Sequence, residues 1–279
     1  MDFDSATEKQ MQVNQANWDA RTPIHVASRF YGLDGRRSPE SWFGPFEWDD
    51  LGELRDRDLI HLQCHLGTET IAFARRGART TGLDFSGESI TQARRIAQRE
   101  GVDIDYVHAN VYDSVNALGE HRFDIVYTGK GALCYLPDLS RWASVIADLL
   151  RTGGLIYVVE FHPVLQSLAP KPAPGEGPEL LLRHDYLGGR GAIEHTATST
   201  YTDGPALDTA TCAYEWMHGL GEVITALVEA GLRIEHLRET DLLPWPRWDR
   251  MVRDECGWWR LPPNEPRIPL LYSLRARKP

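Results

Sequence analysis

The sequence predicts an α/β fold built on a doubly wound, largely parallel sheet, and three observations carry that prediction. Between Leu59 and Glu160, short runs rich in Leu, Ile and Val alternate with stretches of helical periodicity, the pattern of parallel βαβ units. Within residues 59–84 a strand, a tight turn, a helix and a second strand follow one another, and the second strand closes on an acid, Asp84. The length of 279 residues with 42% apolar content is enough for one large domain, or one core with a subdomain, and a sizeable buried centre.

The elements follow in order. Residues 5–31 set Met11, Val13, Ala16, Trp18 and Ala20, then Ile24, Val26 and Phe30, among polar residues, which predicts helical cover outside the sheet. Gly32, Gly35, Pro39, Gly44 and Pro45 signal loops, interleaved with Trp42, Phe43, Phe46 and Trp48. This aromatic density suits a lid or pocket wall, and equally a patch that docks on the domain, so residues 1–50 are expected to form an N-terminal helical lid. Residues 59–62 read as a central strand buried on both faces. It stops at the turn 63–67, where Thr68 is placed to cap a helix whose apolar stripe, Ile71, Ala72, Ala74 and Ala78, ends near Gly77. Residues 80–84 are the next strand and 123–127 a later one. Helix 139–150 then turns at Gly153 and Gly154 into the strand 155–159.

After Phe161, His162 and Pro163 the chain departs from the core. Pro170, Pro172, Pro174, Gly175, Gly177 and Pro178 mark a loop. Residues 180–186 and 192–201, separated by Gly188-Gly189-Arg190-Gly191, read as two strands of a hairpin, so 163–212 is expected to be an inserted substrate-binding cap. The core, 51–162, resumes over 213–279 with helix 213–230 stopped by Gly231, a strand at 232–239 and a closing strand near 269–277. Pro244, Trp245, Pro246, Trp248, Trp258 and Trp259 place more aromatics in a loop near the sheet's end.

Asp84 lies about 20 residues beyond the first turn, the spacing at which a carboxylate accepts hydrogen bonds from both hydroxyls of a ribose. The bland alternative is a helix N-cap. The helix N-terminus after the turn offers free N–H groups to a carboxylate or phosphate. Close approach of a ligand to the backbone favours glycine, yet only Gly67 stands in such a place, with Gln63 and His65 where smaller residues are common; this disfavours a pyrophosphate.

On these residues the segment resembles the cofactor region of the class I S-adenosylmethionine-dependent methyltransferases. Asp84-Phe85-Ser86, with Ile90 and Ala93-Arg94, is similar to the family's ribose-binding acid and its helix. His108-Ala109-Asn110-Val111 falls where the family has an acid or amide that meets the adenine amino group. Phe123-Asp124-Ile125-Val126-Tyr127 resembles the fourth strand, and Leu149-Leu150-Arg151-Thr152-Gly153-Gly154 the turn into the fifth. The resemblance implies a Rossmann-like doubly wound, seven-stranded mixed sheet with a helical N-terminal lid and an inserted β-hairpin cap. It implies S-adenosylmethionine as cofactor, contacted by Gln63, Cys64, His65, Gly67, Asp84, Phe85, Asn110, Val111 and Gly129. His61 departs from the pattern by replacing the usual acid, as Gln63 and His65 replace two glycines; alternatively, His61 and His65 only pack the strand end. Metal-using relatives carry carboxylates near the end of the fourth strand, where this chain has Thr128-Gly129-Lys130-Gly131, so no metal is implied.

A sulfonium donor brings its own electrophile, so the protein would position two reactants and exclude water, a task aromatic walls suit. If the acceptor must lose a proton, His25, His162 and His218 are candidate bases, with Glu160 and Tyr135 as orienting partners and Tyr31 beside His25 in the lid. Each has a structural alternative: a satisfied strand-end pair for Glu160 and His162, a packed or surface histidine for His218. A formal charge of −10 without basic runs argues against nucleic acid. No stretch approaches the roughly 18 apolar residues of a membrane span. Cys64, Cys134, Cys212 and Cys256 form no CxxC pair, the start is polar, and there is no HExxH, all of which suit a soluble cytoplasmic protein, with a homodimer allowed. The expected function is metal-independent methyl transfer to a small aromatic or N-heterocyclic molecule of secondary metabolism, an indole being one case. The alternatives are a non-catalytic binding protein with a degenerate fold and a nicotinamide-dependent oxidoreductase, the latter lacking GxGxxG after the strand.

Overall fold

The computed structural model describes residues 3–169, 177 and 179–279. In chain order, β1 (Asp58–Leu62), β2 (Arg79–Asp84), β3 (Asp105–His108), β4 (Phe123–Thr128) and β5 (Leu150–Phe161) precede a small antiparallel pair, β6 (Ile193–Thr196) and β7 (Cys212–Glu215). β8 (Arg233–Thr240), the short pair β9 (Val252–Arg253) and β10 (Trp259–Arg260), and β11 (Leu271–Arg277) follow. The main sheet has seven strands in the order β3-β2-β1-β4-β5-β11-β8. β1 to β5 are parallel, while β11 runs antiparallel to both β5 and β8, so the sheet is mixed as the family resemblance implied.

The helices are α1 (Ser5–Ala27), α2 (Glu47–Leu51), α3 (Thr68–Arg75), α4 (Gly87–Glu100), α5 (Ser114–Leu118), α6 (Leu139–Leu149), α7 (Pro163–Ser167) and α8 (Leu220–Glu229). Alternation along the buried strands gives the sheet two apolar faces. Ile60, Leu62, Val126, Ile156 and Val158 pack with Trp142 and Ile146 of α6 and Leu227 of α8. Leu59, Ile125, Tyr127, Tyr157 and Val159 pack with Phe73 of α3 and with Trp42, Phe43 and Leu51 from the segment ahead of the first strand. The carboxyl ends of the central strands are level, Leu62 pairing with Leu83 on one side and Thr128 on the other, so the loops that follow them share one rim.

The structure corrects three local readings. α3 starts after Gly67, which adopts φ +70°, and Thr68 is its first residue, not its cap. A Cβ at position 67 would fall 2.1 Å from the Tyr106 hydroxyl, so only glycine fits there. The inserted hairpin pairs β6 with β7, not with residues 180–186, where Leu182 makes a single bridge to Leu168. Consequently the expected helix 213–230 begins only at Leu220, after Gly219. Residues 212–215 are held extended by pairing with β6 and by Asn14 of α1, whose amide donates to Tyr214 O and accepts from Tyr214 N (2.8 and 2.7 Å). The loop expected at Pro170, Pro172, Pro174, Gly175 and Pro178 lies outside the described residues.

Residues ahead of β1 are joined to the core by a buried ion pair: Lys130 Nζ, just past β4, stands 2.9 Å from Glu47 Oε1 and donates to Trp42 O at 3.2 Å. Glu47 also accepts from Gly44 N at 2.7 Å. Breaking such a pair from one side leaves an uncompensated buried charge. Lys130→Met is expected to lower stability by about 3–5 kcal/mol, and adding Glu47→Gln to recover part of that loss, as read by chemical denaturation.

Candidate functional site

A cavity of about 540 Å³ opens at the shared rim. Its floor is the turn after β1. Gln63 (φ +57°) and His65 (φ +47°) adopt the left-handed conformation that glycine takes without strain, so the two residues at glycine positions keep the glycine backbone. Side-chain bonds hold them there. Gln63 Nε2 donates to Ala132 O at 2.9 Å, and the His65 ring bridges Ser89 Oγ and His25 Nδ1, both at 2.9 Å. Gln63 Oε1 is buried without a partner among the described residues.

Asp84 closes β2 against this turn. Its Oδ2 accepts from His65 N and its Oδ1 from Ser86 N, each at 2.8 Å, while the carboxylate lines the cavity. Burial raises its pKa to about 6, the two backbone donors offsetting part of the effect. His61, also on the cavity wall, is held by Thr70 Oγ1 (2.9 Å to Nδ1), and burial depresses its pKa to about 4. Burial likewise depresses His25 to about 3 and holds His65 well below the usual range, so all three imidazoles are neutral at pH 7.

The roof is α1. Trp18 packs edge-on against His65 (5.0 Å between centroids) and Tyr135 (5.4 Å). Tyr31, Trp42, Phe30, Trp245 and Tyr201 continue the aromatic wall, with the Tyr31 and Tyr201 hydroxyls 2.6 Å apart. The expected lid thus supplies cavity walls, and its lower part, Trp42 and Phe43, belongs equally to the core. From the cap, His195 and Glu215 face the same space, Nε2 lying 3.6 Å from Oε2. Tyr135 donates to Glu215 Oε1 at 3.3 Å.

The structure therefore brings Tyr31, Gln63, Cys64, His65, Asp84, Phe85, Gly129 and Tyr135 together on one cavity, with His25 one layer behind. Other expected site residues stand elsewhere. Glu160 is buried and fully engaged, accepting from the backbone N–H of Gly131, Ala132, Leu133 and Phe161 (2.5 to 3.0 Å), so it shapes the loop after β4 and leaves no lone pair for a substrate. His162 caps α7 by accepting from Val164 N (3.1 Å), its Nε2 2.9 Å from Glu239. His218 is not on a helix; its Nε2 bonds Leu136 O at 2.8 Å and its Nδ1 bonds Glu222 Oε1 at 3.0 Å. Asn110 caps a short turn through Tyr112 N (3.2 Å), with Met11 of α1 lying on its amide, and Val111 is core. Gly67 sits under the turn against Tyr106.

Sequence reasoning missed Glu69, His195, Tyr201, Glu215 and Arg247, all on the cavity wall. Glu69 had a signal, the first turn of a helix that follows the donor turn. Of the others, His195 and Glu215 belong to the β6–β7 pair that α1 packs against, and Tyr201 and Arg247 stand in loops without a periodic signal.

Residues 60–156, from within β1 to within β5, match the family model described as a methyltransferase domain. Relatives include the ubiquinone biosynthesis O-methyltransferases of Aeromonas salmonicida, 28% identical over 137 residues (48% of this chain, 57% of the relative), and of Erwinia tasmaniensis, 30% identical over 136 residues (47% and 55%). The chain thus spans little more than half the length of these relatives. Among solved structures, an S-adenosylmethionine-dependent methyltransferase from Mesorhizobium loti superposes with a TM-score of 0.57 at 23% identity, covering 88% of this chain and 99% of the other. A protein described as a putative S-adenosylmethionine-dependent methyltransferase from Listeria monocytogenes gives 0.58 at 19% identity, covering 84% and 98%. This chain carries a methyltransferase domain, and its fold is that of the class I S-adenosylmethionine-dependent methyltransferases.

Proposed function

We propose that the chain transfers the methyl group of S-adenosylmethionine to a small, flat acceptor held in the aromatic part of the cavity. The observation that carries this reading is the Asp84 carboxylate at the tip of β2, facing a cavity that continues without interruption between aromatic walls. S-adenosylmethionine, when bound, supplies an electrophilic methyl on a sulfonium, so the protein need only place donor and acceptor in line and keep water out.

The residues present fit that donor. Asp84 can accept from the ribose hydroxyls. Glu69, in the first turn of α3, receives only the Thr68 hydroxyl (2.6 Å) among the described residues and has no ion-pair partner there, which leaves its carboxylate for the donor's ammonium group. It thus takes over the charge that His61, a neutral imidazole, cannot supply. The unpartnered Gln63 Oε1 offers a further acceptor. Trp18, Tyr31 and Tyr135 shed water from the space between the reactants and present ring faces to a cation.

Acceptors that must lose a proton meet the His195–Glu215 pair, the cavity-lining imidazole with a carboxylate beside it. The ubiquinone O-methyltransferases methylate oxygen by name. That resemblance supports an oxygen acceptor no further than the donor-binding strands, because the family match ends at residue 156, before the cap. The left-handed, side-chain-bearing turn speaks against a nicotinamide dinucleotide, whose pyrophosphate needs glycine-sized clearance there. A small-molecule acceptor, a place in secondary metabolism and a cytoplasmic location belong to the same proposal.

Calorimetry with S-adenosylhomocysteine is the direct test; no binding would favour a protein that has kept the fold without the donor, and preferential binding of a nicotinamide dinucleotide would favour the oxidoreductase. Asp84→Ala should abolish binding without unfolding the chain. Ionised Asp84 is the form that accepts both hydroxyls, so affinity should be level above pH 6 and fall about tenfold per pH unit below it. Glu69→Gln should weaken S-adenosylhomocysteine by about 1.5–3 kcal/mol and leave 5′-methylthioadenosine, which lacks the amino-acid part, unchanged. Turnover would then appear as a 14-dalton gain (one ~CH₂ unit) in an acceptor screened by mass spectrometry.

A further inference from the structure

Arg247, in the loop between β8 and β9, lines the same cavity as Asp84, although β8 lies five strands from β2 across the sheet. The cavity wall there is apolar: Leu165, Leu243, Phe161 and Trp245, the last two with ring centroids 5.2 Å apart. Among the described residues Arg247 makes one hydrogen bond from its side chain, Nη2 to Leu168 O at 3.1 Å. Among the described residues its buried Nε has no partner and no carboxylate stands within ion-pair distance. The contrast with its neighbours is sharp: Arg250 pairs with Glu265 at 2.6 Å, Arg260 with Asp254 at 3.0 Å, Arg267 with Asp241 at 2.8 Å. The Trp248 ring, 5.9 Å away, is a weak substitute for a counter-ion.

A guanidinium keeps its proton at any physiological pH, so burial without a counter-ion is costly unless something else supplies the negative charge. Burial lowers the Arg247 pKa, the direction expected of a cation that lacks a partner. Lys130, the other lysine or arginine on the cavity wall, is already neutralised by Glu47. The remaining charged groups on the wall, Glu69, Asp84 and Glu215, are acidic.

We propose that Arg247 is the anion-recognising residue of the acceptor site, and that the acceptor is an aromatic acid whose ring lies against Phe161 and Trp245 while its carboxylate meets the guanidinium. The inference rests on the methyltransferase reading and names the substrate class for the same cavity. A carboxylate fits better than a phosphate, because a single positive charge faces a cavity otherwise lined with acids, and a dianion would be repelled. A planar carboxylate also matches the guanidinium's fork, of which Nε is one free tine.

The test uses the full chain saturated with S-adenosylhomocysteine and titrated by calorimetry with benzoate and, separately, its neutral isostere benzamide at equal ionic strength. Benzoate is expected to bind at least about tenfold more tightly than benzamide, as one charge-assisted bond requires. Arg247→Met should erase that preference, and Arg247→Lys should retain part of it. A purely structural role, bracing Leu168, would change stability without changing the ratio of the two ligands. Equal binding of benzoate and benzamide to the wild type, including no binding of either, would overturn the proposal, as would a preference that survives in Arg247→Met. If Arg247→Met does not fold, the wild-type and Arg247→Lys ratios decide. Binding of S-adenosylhomocysteine by the wild type is read first, so failure of the methyltransferase reading shows separately from failure of this one.

Discussion

The cavity exists because α1 is bonded at once to the sheet and to the cap, and those bonds are polar. Asn14 grips the Tyr214 backbone of β7, and Gln15 reaches Phe85 O (2.8 Å) at the tip of β2. Asn17 donates to Ala210 O (2.5 Å), Asp19 accepts from Ser86 Oγ (2.6 Å) and Glu88 N (3.1 Å), and Thr22 meets Ser89 Oγ (2.8 Å). His25 ends the row, between His65 and Thr200. A single helix therefore fixes the distance between the donor-side loops and the inserted hairpin. Each of these side chains satisfies a backbone or side-chain group on a different segment, which specifies position in a way that apolar contact alone would not.

The same helix shows why the donor turn can do without its glycines. Gln63 and His65 hold backbone conformations that cost free energy for residues with a Cβ. His65 is kept there by Ser89, by His25 of α1 and by the Trp18 ring, and Gln63 by the Ala132 carbonyl. The loop carrying Ala132 is in turn shaped by Glu160, four of whose contacts are backbone N–H groups. Strain in the turn is offset by bonds from β4, β5 and α1, so the site is a property of the assembled domain. The acid lost at His61 reappears eight residues onward as Glu69, in the first turn of α3 but facing the same cavity.

The charge pattern of the cavity follows from these constraints. The cavity wall carries Asp84 and Glu69, which the proposed function gives to a ribose and a cationic amino-acid group, and also Arg247, which has no carboxylate partner among the described residues. On the proposed reading, ligands of opposite polarity would meet different groups of this wall, which lets one space order two reactants.

The sequence by itself determined the sheet. Buried strands alternating with helices, the acid closing residues 79–84 and the glycine pair at 153–154 are local signals, because each depends on neighbours a few residues away, and the mixed seven-stranded order agrees with them. It also named Asp84, Gln63, His65 and Tyr135, which the fold brings to one cavity. What only the tertiary structure decided is everything that depends on where α1 lies. Its apolar residues suggested a greasy inner face, yet Ala16 is exposed while Asn14 and Asn17 are buried, because the partners of those amides are about two hundred residues away in β7 and the loop before it. For the same reason Asn110 is covered by Met11 and residues 212–215 are a strand, while His162, His218 and Glu160 are taken up by backbone groups that their own loops bring beside them. A hydrogen bond between distant segments leaves no periodic trace in the sequence, whereas burial of a strand or helix face does.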